Sequence, residues 1–219
     1  RALLETYRAP AKQHNPRDIY PVVDATYFGE RKEDSSWCVA VARDPLQKEN
    51  LVWQFADTES TSVYASLKEQ LIDLGYTVKA VTADGFSAIQ SAFSGIPYQM
   101  CLVHMERLVV RGTTRHPLLE AGQVLLALTR SLHYTSKKVW NTRLNKYIEK
   151  YRDFLNEKTI HPITGERYWT HEDLRRALLS LMRYRNHLFT YTSNNNISKT
   201  TNSLEAHFSH LKDILGVHR

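Results

Sequence analysis

Between Tyr20 and Val103 the sequence divides itself into seven short segments, and their order restricts the fold more than any other feature. Tyr20–Phe28 is rich in β-forming residues and closes at Gly29. A charged tip, Glu30–Asp34, leads into a second run, Trp37–Ala42, and Asp44-Pro45 turns the chain into a third, Leu51–Ala56. Connections this short produce an antiparallel meander. From Ser62 to Leu74, Val63, Leu67 and Leu71 recur every four positions and Gly75 supplies a left-handed stop, the pattern of an amphipathic helix. Thr77–Ala83 returns as a strand ending at Asp84. Phe86–Phe93 reads as a short helix, stopped near Gly95 and Pro97, and Tyr98–Val103 as a fifth strand. The class is α/β, with a mixed five-stranded sheet in the order β-β-β-α-β-α-β, followed by helices.

That order brings two carboxylates together. If the fourth strand enters beside the first through a right-handed crossover, Asp24 and Asp84 come from neighbouring central strands. Asp84 then stands at a carboxyl end, where open α/β sheets place their sites. Alternation on the first strand puts Asp24 with Val22 and Thr26 on one face, and Val23, Ala25 and Tyr27 on the other. Carboxylates losing water beside one another repel unless a cation lies between them. Hard oxygen donors favour Mg2+.

The rest of the chain is helical in pattern. Leu118, Ala121, Leu125, Leu128 and Leu132 repeat at three and four, as do Trp140, Leu144, Tyr147, Ile148 and Tyr151 within Val139–Leu155. After a Pro162-Ile163-Thr164-Gly165 turn, Thr170 and Asp173 suit the capped start of a helix running to about Leu188. In the last helix Asn202 suits the cap, Leu204, Phe208, Leu211 and Leu215 form the apolar stripe, and Gly216 the stop. Residues 1–19 read as a linker or partial helix interrupted by Pro10 and Pro16. The expected organisation is a core over 20–104, a basic helical insertion over 105–195, and a final core helix over 196–219.

With 219 residues, 42% of them hydrophobic, the chain can bury a full core, which excludes disorder as its main state. No apolar run reaches the length of a bilayer span, so no membrane partner is expected. Cys38 and Cys101 give no disulfide framework. The formal charge of +6 is local: residues 130–185 carry 13 Lys or Arg against 6 Asp or Glu. Such a surplus attracts a phosphate backbone by counterion release, or is a solvated helical face. Candidate DNA contacts are Lys137, Lys138, Arg143, Arg167, Arg175 and Arg176, with Lys199 and Lys212 near the last helix. Trp169, beside Arg167 and Tyr168, is the candidate for stacking on a base, whereas Trp140 in its apolar stripe belongs to the core.

Asp24, the Ala83-Asp84-Gly85 step, Gln99-Met100-Cys101-Leu102-Val103-His104 and Thr201-Asn202-Ser203-Leu204-Glu205, in that order, resemble the catalytic domain of Mutator-like insertion-sequence transposases over nearly the whole chain. The resemblance implies a ribonuclease H-like fold with an all-helical insertion before the last catalytic helix. It makes Asp24, Asp84 and Glu205 a triad holding two Mg2+ ions, with Mn2+ as a substitute. Cys101 and His104 match a Cys-x-x-His signature that supports the site. The implied activity is DNA strand cleavage at element ends and 3′-end transfer into target DNA. A homodimer acting on double-stranded DNA in the bacterial cytoplasm, at the nucleoid, is the implied setting. One departure is visible: where that family often has Arg-Asn, this chain has Arg107-Leu108.

Simpler readings stand beside these. Glu205, three residues after Asn202, also fits a capping box. Cys101 and His104 supply two ligands, short of a four-ligand zinc site. A nuclease that does not join strands, or a DNA-binding remnant without catalysis, would share much of the same sequence.

Overall fold

The computed structural model describes residues 12–29 and 36–214. The expected Glu30–Asp34 tip, Leu215, Gly216 and residues 1–11 of the expected linker lie outside the described residues. The meander is β2 (Val22–Phe28), β3 (Trp37–Asp44) and β4 (Glu49–Ala56), preceded by the two-residue β1 (Asp18–Ile19). The first long strand starts at Val22 rather than Tyr20, because Pro21 has no N–H for a ladder and contributes only its carbonyl, which accepts from Thr82 N–H at 3.0 Å. Helix α1 (Thr61–Asp73) is capped by the Ser60 hydroxyl, buries Val63, Tyr64, Leu67 and Leu71, and ends at Gly75 with φ +82°.

The segment expected as one strand over Thr77–Ala83 is two. β5 (Thr77–Val78) pairs in parallel with β1 outside the main sheet, and β6 (Val81–Ala83) enters the main sheet parallel to β2. After the short helix α2 (Ser87–Ala92), β7 (Tyr98–Met100) pairs with β6. The main sheet has five strands in the order β4-β3-β2-β6-β7, mixed as expected, with β2 at its centre.

The fifth strand stops three residues short of expectation. β6 ends at Ala83, whose carbonyl accepts the last inter-strand bond, from Cys101 N–H at 2.8 Å, and residues after Cys101 have no strand beside them. Cys101 bends the chain into α3 (Leu102–Thr113), and the apolar residues Leu102, Met105 and Val109 turn out to have helical spacing. The expected 104/105 boundary falls inside this helix.

The expected insertion contains α4 (Glu120–Arg130), α5 (Lys137–Lys150), the short α6 (Arg152–Leu155) and α7 (Glu172–Tyr184). Leu118, expected in the first stripe, is 96% exposed and precedes the helix. Trp140 is fully buried and its indole donates to Leu128 O at 3.0 Å. Where only a turn was expected, β8 (Lys158–Ile160) and β9 (Arg167–Trp169) form a hairpin. Thr170 does not cap α7: its hydroxyl pairs with that of Thr159 at 2.8 Å, and His171 precedes the helix without a side-chain cap.

The last helix, α8 (Asn202–Ile214), begins at Asn202, which is therefore its first residue rather than its cap. The sheet separates two apolar clusters. Val23, Ala40 and Ala42 face a large one that runs through α1 into α3, α4, α5 and α7. Val22, Phe28, Val39 and Val41 face a small one closed by Leu204 and Phe208 of α8. No helix among the described residues is long and apolar enough to cross a membrane.

Candidate active site

Pleating decides the side of the sheet on which each acidic residue lies. Asp24 alternates with Val22 and Phe28, and its cross-strand partner is Val41; all three apolar residues belong to the small cluster beneath α8. The helix carrying Glu205 therefore packs on Asp24's face. Asp84 follows β6, the strand beside β2. Its carboxylate accepts from Phe86 N–H at 2.9 Å, and its carbonyl accepts from the Tyr98 hydroxyl. Gly85 leaves room for Tyr184: a Cβ there would lie 2.6 Å from the Tyr184 hydroxyl, which donates to Gly85 O at 2.7 Å, so a larger residue would force one of the two to shift.

Electrostatics ties the aspartates together. Burial, and after it the charge of Asp84, pushes Asp24 up to about 7, against a hydrogen bond from Ala25 N–H at 2.9 Å. Glu59, just before α1, joins them. Burial raises its pKa and Asp84 adds to the rise, although the Tyr64 hydroxyl donates to its carboxylate. Tyr64 is itself held far above the usual phenol range by burial and by Glu59.

The chain returning from the insertion is fastened beside this pair. Thr82 hydroxyl donates to Ser198 O at 2.8 Å, Leu102 N–H to Lys199 O at 3.0 Å, and Thr201 N–H to Cys101 Sγ at 3.3 Å. The Thr201 hydroxyl lies 3.1 Å from Glu205 Oε1, and 3.4 Å from both Cys101 Sγ and His104 Nδ1. Burial would raise the Cys101 thiol, but hydrogen bonds from His104 and Thr201 bring it below its ordinary value. Burial would lower His104, yet Cys101, Asp24 and Asp84 together raise it.

Glu205 accepts from the Thr201 hydroxyl just before the helix and meets Arg107, rather than accepting from Asn202 N–H, so the Asn202–Glu205 capping box does not form. Arg107 Nη2 is 2.9 Å from Glu205 Oε2 and Nη1 3.4 Å from Oε1, and His104 Nδ1 is 3.9 Å from Oε1. Burial would raise Glu205, but Arg107, His104 and Thr201 bring its pKa below the usual carboxylate value. Asp24 and Asp84 thus have the donor chemistry and mutual repulsion that a divalent cation would relieve, while Glu205 is already balanced by a guanidinium. Among the described residues, no three His, Cys, Asp or Glu side chains are grouped closely enough to hold a metal ion.

The candidate DNA contacts are scattered. Lys137, Lys138 and Arg143 project from α5 and are exposed, as is Arg167 on the hairpin. Trp169 already carries two cations near its ring: Lys158 Nζ lies 4.4 Å and the Arg175 guanidinium 4.1 Å from its centre. Arg175 also donates to Asn156 Oδ1 at 2.7 Å, and Arg176 pairs with Glu172. Lys199 Nζ donates to His133 O at 3.0 Å, and Lys212 lies over the Phe28 ring.

The sequence reading missed Glu59, Tyr64, Thr201, Tyr184 and the pairing of Arg107. Glu59 carries no local signal, since it resembles any acid in a polar loop before a capped helix. Arg107 carries one: three residues after His104, it shares that side chain's face once Leu102–Thr113 is read as a helix.

Residues 20–209 match a known family of insertion-sequence proteins, described as Transposase IS66 family. The match supports the insertion-sequence transposase part of the resemblance and not its Mutator-like designation. No curated protein matches the chain. With a family match spanning almost the whole described chain, and a mixed five-stranded sheet compatible with it, this chain belongs to the IS66 family of transposases.

Proposed function

We propose that this transposase cuts DNA strands at the ends of its element and joins the freed 3′ ends to target DNA, using Asp24, Asp84 and Glu205 as its acidic set. The observation that carries this reading is the convergence of three distant elements. The Glu205 helix packs on the face of β2 that bears Asp24, and Asp84 closes the adjacent strand.

Asp24, Asp84 and Glu205, which are not grouped closely enough to share an ion as they stand, would hold two Mg2+ or Mn2+ ions once drawn together, and those ions would stabilise negative charge on the attacking and departing oxygens of an in-line phosphoryl transfer. The chain's own residues do the rest. Asp24, half-hidden on the central strand, supplies a carboxylate whose repulsion with Asp84 falls when positive charge enters between them. Thr201 and Cys101 fix the start of α8 and thereby the position of Glu205. His104, with Nδ1 3.4 Å from the Thr201 hydroxyl and 3.9 Å from Glu205 Oε1, helps to orient the start of α8. In this reading residues 20–104 and 196–219 form the catalytic core and 105–195 the insertion. Lys137, Lys138, Arg143 and Arg167 hold DNA, and a homodimer brings two ends together.

The test is incubation of the chain with labelled duplex ends and Mg2+ or Mn2+. Nicked and joined products are expected, and Glu205→Gln should abolish both while the fold survives. Nicks without joining would leave a ribonuclease H-like nuclease. DNA binding with no cleavage, and no stabilisation by either metal, would leave a non-catalytic remnant.

A further inference from the structure

We propose that Arg107 is an exchangeable cation: it sits on Glu205 until a DNA phosphate draws it into the adjoining cleft, so that DNA and a divalent cation bind cooperatively. The proposal rests on Glu205 belonging to the acidic set proposed above, and it concerns what controls access to that residue.

Arg107 faces two ways. Its guanidinium contacts both Glu205 oxygens, with the shorter contact at 2.9 Å, and Nη1 is 3.3 Å from His104 Nε2. The same side chain lines a cleft of about 170 Å³ together with Asp84, His104, Arg111 and Tyr184. Arg111 lies one helical turn beyond Arg107 on α3 and makes no ion pair among the described residues. Two guanidiniums spaced by one turn, opening beside Asp84, form a seat for a phosphodiester, since planar guanidinium forks match phosphate oxygens. Arg107 is 52% exposed along its side chain, so it can change rotamer without disturbing the core.

The exchange follows from charge. A cation approaching Glu205 in the free protein must displace a guanidinium that already balances it, which weakens binding. A phosphate in the cleft offers Arg107 another anion and releases the carboxylate. By thermodynamic reciprocity, a cation on Glu205 then also strengthens DNA binding.

The test uses the full chain, Ca2+ as a cation that reports binding without turnover, and a short blunt DNA duplex. Ca2+ affinity is measured by calorimetry with and without the duplex. For the unaltered protein, DNA should tighten Ca2+ binding by about tenfold. Arg107→Gln should bind Ca2+ about tenfold more tightly without DNA and gain little more when DNA is added. Arg107→Lys, which keeps the charge but loses the fork, should fall between the two. Arg111→Gln should weaken duplex binding while leaving Ca2+ affinity without DNA unchanged. The proposal is overturned if Arg107→Gln matches the unaltered protein in both Ca2+ affinities while Asp24→Asn abolishes Ca2+ binding; the acidic set would then stand without the exchange. It is equally overturned if Arg111→Gln binds duplex normally. If Asp24→Asn binds Ca2+ as well as the unaltered protein does, or if none of the proteins binds Ca2+, the acidic set itself fails and the exchange with it.

Discussion

The Tyr184 hydroxyl donates to the Gly85 carbonyl at 2.7 Å, so the last turn of α7 grips the loop that carries Asp84. Tyr184→Phe should cost about 1 kcal/mol of stability, the net value of one such hydrogen bond, measured by urea denaturation. Gly85→Ala should cost more, because the added carbon would sit 2.6 Å from that hydroxyl. If Gly85→Ala proves neutral, the close approach is not what fixes this turn.

Asp24 gives the free protein an unusual pH response. Its folded value of about 7 exceeds the ordinary 3.8, so the folded state holds a proton that the unfolded state has lost between those values. Stability therefore falls as pH rises from about 4 to about 7 and is flat above. Asp24→Asn removes this loss and should be more stable than the unaltered chain at pH 8 by on the order of 1 to 3 kcal/mol, with little difference at pH 4. Thermal melts across that range, in the presence of a chelator, check it. A constant difference at all pH values would mean that Asp24 does not titrate there.

Leu204 and Phe208 are the pins that place Glu205. Both are buried against Val22, Phe28, Val39 and Val41. Leu204→Ala should cost about 2 to 5 kcal/mol and, even at temperatures where the protein remains folded, lower cleavage by displacing Glu205. Denaturation together with strand-cleavage rates measures both effects; unchanged cleavage would separate the packing from the site.

Cys101 acts as an acceptor at the junction of strand and helix. Cys101→Ala leaves Thr201 N–H without its sulfur partner, 3.3 Å away, in a fully buried position, which should cost about 1 to 3 kcal/mol. Cys101→Ser, which restores a smaller acceptor, should recover part of that loss in the same melts. Equal stability of both variants would argue that packing of the sulfur, not its hydrogen bonds, is what matters.

Legibility in the sequence followed locality. The meander, α1 and the end of β6 at Asp84 were readable because each is bounded by residues with strong local preferences: Gly29, Gly75 and Asp84-Gly85. The start of α3 was not, because Tyr98–Val103 is rich in β-formers and only the absence of a partner beyond Ala83 ends the strand. The β8–β9 hairpin was hidden because Lys158–Ile160 is too short to stand out from the helical pattern before it. The proposed acidic set was nameable through resemblance, but the side of the sheet that α8 covers depends on Val22, Phe28, Leu204 and Phe208 meeting over long range. For the same reason, Arg107's partner could not be read from its neighbours.

The large apolar cluster passes without interruption from the sheet through α1 into the helices of the insertion. Those helices are therefore no detachable arm. Trimming residues 105–195 would strip the cover from Met100 and its surroundings, and any shorter version of the enzyme would need to rebuild half its interior.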